Sequence, residues 1–183
     1  MRATSIVPAW VEVPPGQLAD AHRIAHALAP AAAELRPVAA TLDWVTSGGA
    51  RPAPMTGRPL EPTASAVRSE MMLADSVALG GGQDLDAAWW STLGVAPARS
   101  VTTDVVWSRG TVTTTGWLLG LHTRPPVRLP RRLADGTTPS ADDLYAEYSA
   151  RAREPEQRRD ARAAADRDAA LYRRLAELAA TTA

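Results

Sequence analysis

The sequence predicts an α+β fold: a small, mostly antiparallel sheet with a β-hairpin at its centre, helices on one face and a helical C-terminal extension. Three observations carry this expectation. Val- and Thr-rich runs at Ser100–Trp107 and Thr111–Leu121 flank an Arg109-Gly110 turn, the pattern of a hairpin. Leu18, Ala21, Ala25 and Leu28 recur at helical spacing near the N-terminus. From Ser140 onward the composition is that of helices, rich in Ala, Arg, Asp, Glu and Leu.

Taken in order, Ser5–Val13 reads as an edge strand, because Pro8 removes a ladder donor, and Pro14-Pro15-Gly16 ends it. The first helix follows. Pro30 opens a second short helix ending near Arg36, since proline suits a first helical turn. Residues 37–44 read as a short strand with Val38, Ala40, Leu42 and Trp44 on one face. Gly48-Gly49, Pro52, Pro54, Gly57, Pro59 and Pro62 leave no room for a regular element in 47–63, so this is a long loop and a candidate contact arm.

Thr63 or Ser65 caps a helix running to Leu79, with Val67, Met71, Ala74 and Ala78 on its apolar stripe, and Gly80-Gly81-Gly82 stops it. Asp84 caps a short helix carrying Trp89, Trp90 and Leu93. In the hairpin, Val112, Thr114, Gly116 and Leu118 share a face, and Trp107 and Trp117 cover one side of the sheet. Pro125-Pro126 and Pro130 make an extended linker. Ser140, Asp142 and Asp143 place oxygens and negative charge at a helix start, and Pro155 divides the helical region. Beyond it Ala161, Ala165, Leu171 or Tyr172, Leu175 and Leu178 form a narrow seam on a rod of roughly 37 Å, too thin to hold a lone helix in water. The organisation expected is therefore a globular domain over 1–123, a Pro/Arg-rich linker over 124–138 and a helical extension over 139–183.

Composition removes several chemistries. The 183 residues contain no cysteine, so there is no disulfide, CxxC pair, thiolate zinc site or cysteine nucleophile. There is no lysine either, which excludes a Schiff-base enzyme and a Walker A loop. Lysine, asparagine and phenylalanine are all missing and isoleucine occurs only at Ile6 and Ile24, as in a high-GC genome such as that of a bacterium or its phage. The six tryptophans are the natural core anchors. No apolar run nears the roughly 20 residues of a membrane span and no signal peptide is evident, so a cytoplasmic location is expected.

Four constellations are candidates for function. His22 and His26 stand four apart on a helix, the spacing that sets two imidazoles side by side as metal ligands. A zincin would need glutamate where Arg23 stands. A third ligand is sought at His122, Glu70, Asp75 or Asp104. Arg109, Arg124, Arg128, Arg131 and Arg132 occur between Val105 and Ala134 without one carboxylate, a segment suited to an acidic protein face or to phosphates. The net charge of zero argues against a general nucleic-acid binder.

Trp89-Trp90 cannot point the same way on a helix, and tryptophan is enriched in interface hot spots. Gly80-Gly81-Gly82 follows a helix instead of a strand and reads as a stop, not a phosphate cradle. Arg68 and Glu70 flank Ser69 and can line a pocket or a solvated face, Asp84, Asp86, Asp142 and Asp143 sit where caps are wanted, and no Gly-x-Ser-x-Gly elbow exists.

These features suggest a non-catalytic interaction or assembly subunit of a larger complex, of virion type or a comparable bacterial assembly. Its contacts with its own copies or other protein subunits would be Trp89, Trp90, Arg124, Arg128, Arg131, Arg132, Leu171, Leu175 and Leu178. No cofactor or membrane partner is expected. The alternative is a small-molecule-binding protein or enzyme with a Trp-lined pocket and a metal at His22 and His26; a third reading is nucleic-acid binding through Arg109–Arg132.

Overall fold

In a computed structural model, residues 7–80, 90–91, 101–130 and 137–151 are described. Among them there is no strand, and the α+β expectation gives way to an all-helical arrangement. Helix α1 spans Pro15–Leu28, a single 3-10 turn spans Ala33–Leu35, and α2 (Arg36–Thr46), α3 (Ala64–Ala78) and α4 (Val105–Leu118) follow among the described residues of the first compact unit, residues 1–141, where Trp90 and Ser91 are helical as well. In the second unit, 142–183, helix is described as far as residue 151. No helix of the described residues is long and apolar enough to cross a membrane.

Helix α4 is the centre of the first unit. It packs most extensively on α3 and next on α2, while α2 in turn carries α1. Leu18, Ala21, Ile24, Ala25 and Leu28 on α1 meet a core to which α2 contributes Val38, Leu42, Trp44 and Val45. On the other side, Met55, Leu73, Ala74, Val77 and Trp90 form one buried cluster, with Val101, Trp107 and Val112 packed against it.

The predicted hairpin, Ser100–Trp107 with Thr111–Leu121, is where the sequence misleads most. Residues 105–118 form one helix, and the expected Arg109-Gly110 turn lies inside it. β-Branched residues lose χ1 freedom in a helix, but that preference is weak enough for burial to override. Thr111, Thr114 and Thr115 are fully buried, and each hydroxyl donates to the carbonyl four residues back: Thr111 to Trp107 (3.1 Å), Thr114 to Gly110 (2.7 Å) and Thr115 to Thr111 (2.7 Å). The buried polar groups are thus satisfied within their own helix. Asp104 starts α4 by accepting the amides of Val106 (2.8 Å) and Trp107 (3.1 Å).

Gly110 lets α2 approach: a Cβ there would lie 2.5 Å from Cγ of Pro37. The run 37–44, expected as a strand, is the body of α2, with Pro37 in its first turn. Its buried positions include Pro37, Val38, Thr41, Leu42 and Val45, which is helical spacing, while Ala40 of the expected strand face is only half-buried. Residues 7–13 of the expected N-terminal strand are turn and irregular backbone, and the helix expected from Pro30 to Arg36 is the 3-10 turn leading into α2.

Other expectations match what is observed. Thr63 caps α3 by accepting the Ala66 amide (3.2 Å), and α3 ends just before Gly80, whose φ of +88° suits glycine. The loop over 47–63 is present, and its backbone is held in an orderly way. Proline lacks an N–H but keeps its carbonyl, so a proline-rich loop is short of donors. Three indoles, which only donate, supply them: Trp10 to Pro62 (2.6 Å), Trp44 to Leu60 (2.7 Å) and Trp107 to Pro54 (2.9 Å). The tryptophans therefore anchor the loop as well as the core.

Candidate metal centre

His22 and His26 lie one turn apart on α1, each next to a buried alanine (Ala21, Ala25), so they flank the apolar stripe without entering it. Asp43 is the one residue of 41–45 on α2 that is not buried, because Thr41, Leu42, Trp44 and Val45 face the core. The packing of α1 on α2 brings these three edges together. Nε2 of His22 and Nε2 of His26 each lie 2.7 Å from the same oxygen, Oδ1 of Asp43. The two rings meet edge to face, with centroids 4.8 Å apart and planes at 83°. All three ligand atoms fall within 4.8 Å of one another.

Side-chain exposures are 31% for His22, 49% for His26 and 29% for Asp43, so the cluster opens to solvent on one side. Partial burial opposes the Asp43 charge, but the hydrogen bonds from His22 and His26, with the electrostatic attraction of their rings, outweigh it and hold the carboxyl below its usual range. An ionised carboxylate facing two imidazole nitrogens is the donor chemistry of a divalent transition metal site. Tetrahedral zinc with bonds of ~2.0–2.2 Å sets its ligand atoms roughly 3.3 Å apart, so the two 2.7 Å nitrogen–oxygen separations would open by about half an ångström, and all three donor atoms already lie within 4.8 Å of one another.

The third candidate ligand, missed by sequence reasoning, is Asp43, because the strand pattern of 37–44 hides its place on a helix edge. Reading Pro37, Val38, Thr41, Leu42 and Val45 at helical spacing is the signal that would have placed it on a polar edge. The ligands considered from the sequence are elsewhere. His122 lies against Gly116, with Nε2 3.1 Å from where a Cβ on that glycine would be. Asp104 caps α4, and Asp75 is an exposed residue of α3.

Glu70 has a different task. It is 2% exposed, and its Oε2 accepts the amides of Met55 (2.7 Å) and Thr56 (3.2 Å) while Oε1 accepts the Thr56 hydroxyl (2.6 Å). Burial pushes its carboxyl above the ordinary range, against these hydrogen bonds and the charge of Arg58. A shallow recess beside it is lined by Thr56, Arg58, Leu60, Ser69, Glu70 and Trp90. The Arg58 guanidinium lies 6.0 Å over the Trp90 ring there. Arg68 of the same helix is exposed.

Of the contact residues expected from the sequence, Trp90 is buried in the core cluster, and Arg124 and Arg128 are exposed. Arg109 is exposed on α4. Trp89, Arg131, Arg132, Leu171, Leu175 and Leu178 lie outside the described residues, as do Gly81, Gly82, Asp84, Asp86 and the seam beyond Pro155. No protein-family model, no curated protein and no solved structure matches this chain.

Proposed function

We propose that this protein binds a divalent transition metal ion, zinc by ligand preference, through Nε2 of His22, Nε2 of His26 and Oδ1 of Asp43. The observation that carries the reading is the convergence of both imidazole Nε2 atoms at 2.7 Å on one carboxylate oxygen. The residue types support it: two borderline nitrogen donors and one anionic oxygen suit zinc, iron or nickel far better than calcium or magnesium, which take oxygen cages. In the metal-free state the Nε2 protons stand where the ion would sit, each donated to Asp43, so metal binding must displace both from Nε2.

Isothermal titration of untagged full-length protein with zinc tests this reading. The expected result is one ion per chain, with affinity reduced roughly 100-fold or more in His26→Ala and in Asp43→Ala, since loss of an outer-sphere partner alone costs 10–100-fold. Absence of stoichiometric zinc binding, or binding undiminished in both variants, rejects it.

A role as an interaction or assembly subunit is the second reading, and the exposure of Arg124 and Arg128 favours it. Light scattering of untagged protein tests it: a defined oligomer that Arg124→Glu with Arg128→Glu dissociates supports the role, and a monomer under all salt conditions speaks against self-assembly.

A further inference from the structure

We infer that the bound ion works as a latch between α1 and α2, so that the level of free zinc sets how often α1 leaves its seat on α2; the inference rests on the metal-binding reading above. The donors are divided between elements. His22 and His26 belong to α1 and Asp43 belongs to α2, so an ion held by all three binds only while the two helices are packed together.

Helix α1 is the element placed to respond. It lies against α2 and the 3-10 turn, while α4, the centre of the unit, takes its main contacts from α3 and α2. Among the side chains that α1 buries, Ala21 and Ala25 bring little apolar surface to the contact. The chain at either end of α1 is fastened independently, since the Glu12 amide donates to the Leu118 carbonyl of α4 (3.0 Å) and α2 packs on α4. Opening of α1 is therefore a local event that leaves the α3–α4 core closed. Without an ion, the polar link at the site is the pair of 2.7 Å contacts to Oδ1 of Asp43, and pairs as exposed as these hold weakly. An ion replaces them with coordination bonds across the same seam. Undocked α1 keeps both histidines but loses Asp43 and most of the affinity, so opening becomes rarer by up to roughly 100-fold when free zinc stands at about 100 times the Kd.

Native-state hydrogen exchange of full-length untagged protein, read by NMR where exchange follows the opening equilibrium, tests this with a readout that does not depend on catalysis. In zinc-free protein the amides of Ile24, Ala25 and Leu28 on α1 are expected to be less protected than those of Thr114 and Thr115 on α4. With one zinc bound per chain, checked by native mass spectrometry, the α1 amides should slow by up to that factor, and in Asp43→Ala, loaded at higher zinc, they should not. Amides of α1 that bound zinc leaves unchanged overturn the latch with the metal site standing. Amides slowed as strongly in loaded Asp43→Ala also overturn it, because the ion then staples the histidine pair within α1 alone. Equal protection of α1 and α4 in zinc-free protein overturns it too, since α1 then opens only with the whole unit. If wild-type protein binds no zinc, the site and the latch fall together.

Discussion

Asp43 and Glu70 are both carboxylates that collect hydrogen bonds, and they stand in opposite settings. Asp43 lies on the open edge between α1 and α2, faces two imidazoles and is held below the usual carboxylate range. Glu70 lies under the proline-rich loop, faces two backbone amides and a hydroxyl, and is pushed above that range by burial. The difference teaches where chemistry is available. Neutral amide and hydroxyl donors around a buried carboxylate fasten a loop, whereas two imidazole nitrogens around a half-exposed one present the donor set that the proposed metal site needs.

The comparison breaks most visibly by truncation. Glu70→Ala leaves the buried Met55 amide and the Thr56 donors without their acceptor and should cost about 2–4 kcal/mol, read from the urea midpoint. Gly110→Ala, which drives a methyl into the Pro37 ring at the α2–α4 crossing, should cost roughly 1–3 kcal/mol in the same measurement. Asp43→Ala should stay within about 1 kcal/mol of wild type without metal, because half-exposed pairs contribute little. If Asp43→Ala proves as damaging as Glu70→Ala, the division of roles between the two carboxylates is wrong.

A smaller effect sharpens the contrast. Glu70→Gln keeps an oxygen for the Met55 and Thr56 amides and turns its amide toward the Thr56 hydroxyl, so stability at neutral pH should be nearly retained. The carboxyl of Glu70 is raised in the folded state, so the folded chain holds a proton that the unfolded chain has already lost in the window just above the ordinary glutamate value of 4.5. Its contribution to stability therefore falls as pH rises through that window, and urea midpoints of the Gln variant should lack this slope.

How much of this was legible in the sequence follows from which signal dominated each segment. Helix α1, the Thr63 cap, the Gly80 stop and the long loop announce themselves through spacing, a hydroxyl, a glycine and prolines. The His22–His26 pair was visible for the same reason, since both residues belong to a helix with a clear stripe. Helices α2 and α4 were not legible. In α4 the Val and Thr content points to strand, and only the packed environment, with each buried hydroxyl returning to its own backbone, overrules it.

In α2 every second residue from Val38 to Trp44 is apolar, but so are the helical positions 38, 42 and 45, and the strand pattern hid the helical one. Losing α2 means losing Asp43, the third donor of the proposed site. Glu70 was singled out as a pocket or ligand candidate; that it fastens the loop depends on a tertiary contact 14 and 15 residues away, which no local pattern encodes.

The central claim is that His22, His26 and Asp43 form one metal centre, and the most direct test follows the imidazole nitrogens themselves. In two-bond proton–nitrogen NMR spectra of labelled untagged protein titrated with zinc, the account predicts that Nε2 of His22 and of His26 shift together at one equivalent while His122 stays in place. Rings in which Nδ1 takes the zinc-bound shift while Nε2 keeps its proton, a change at only one of the two rings, or no change in either up to several equivalents would contradict it.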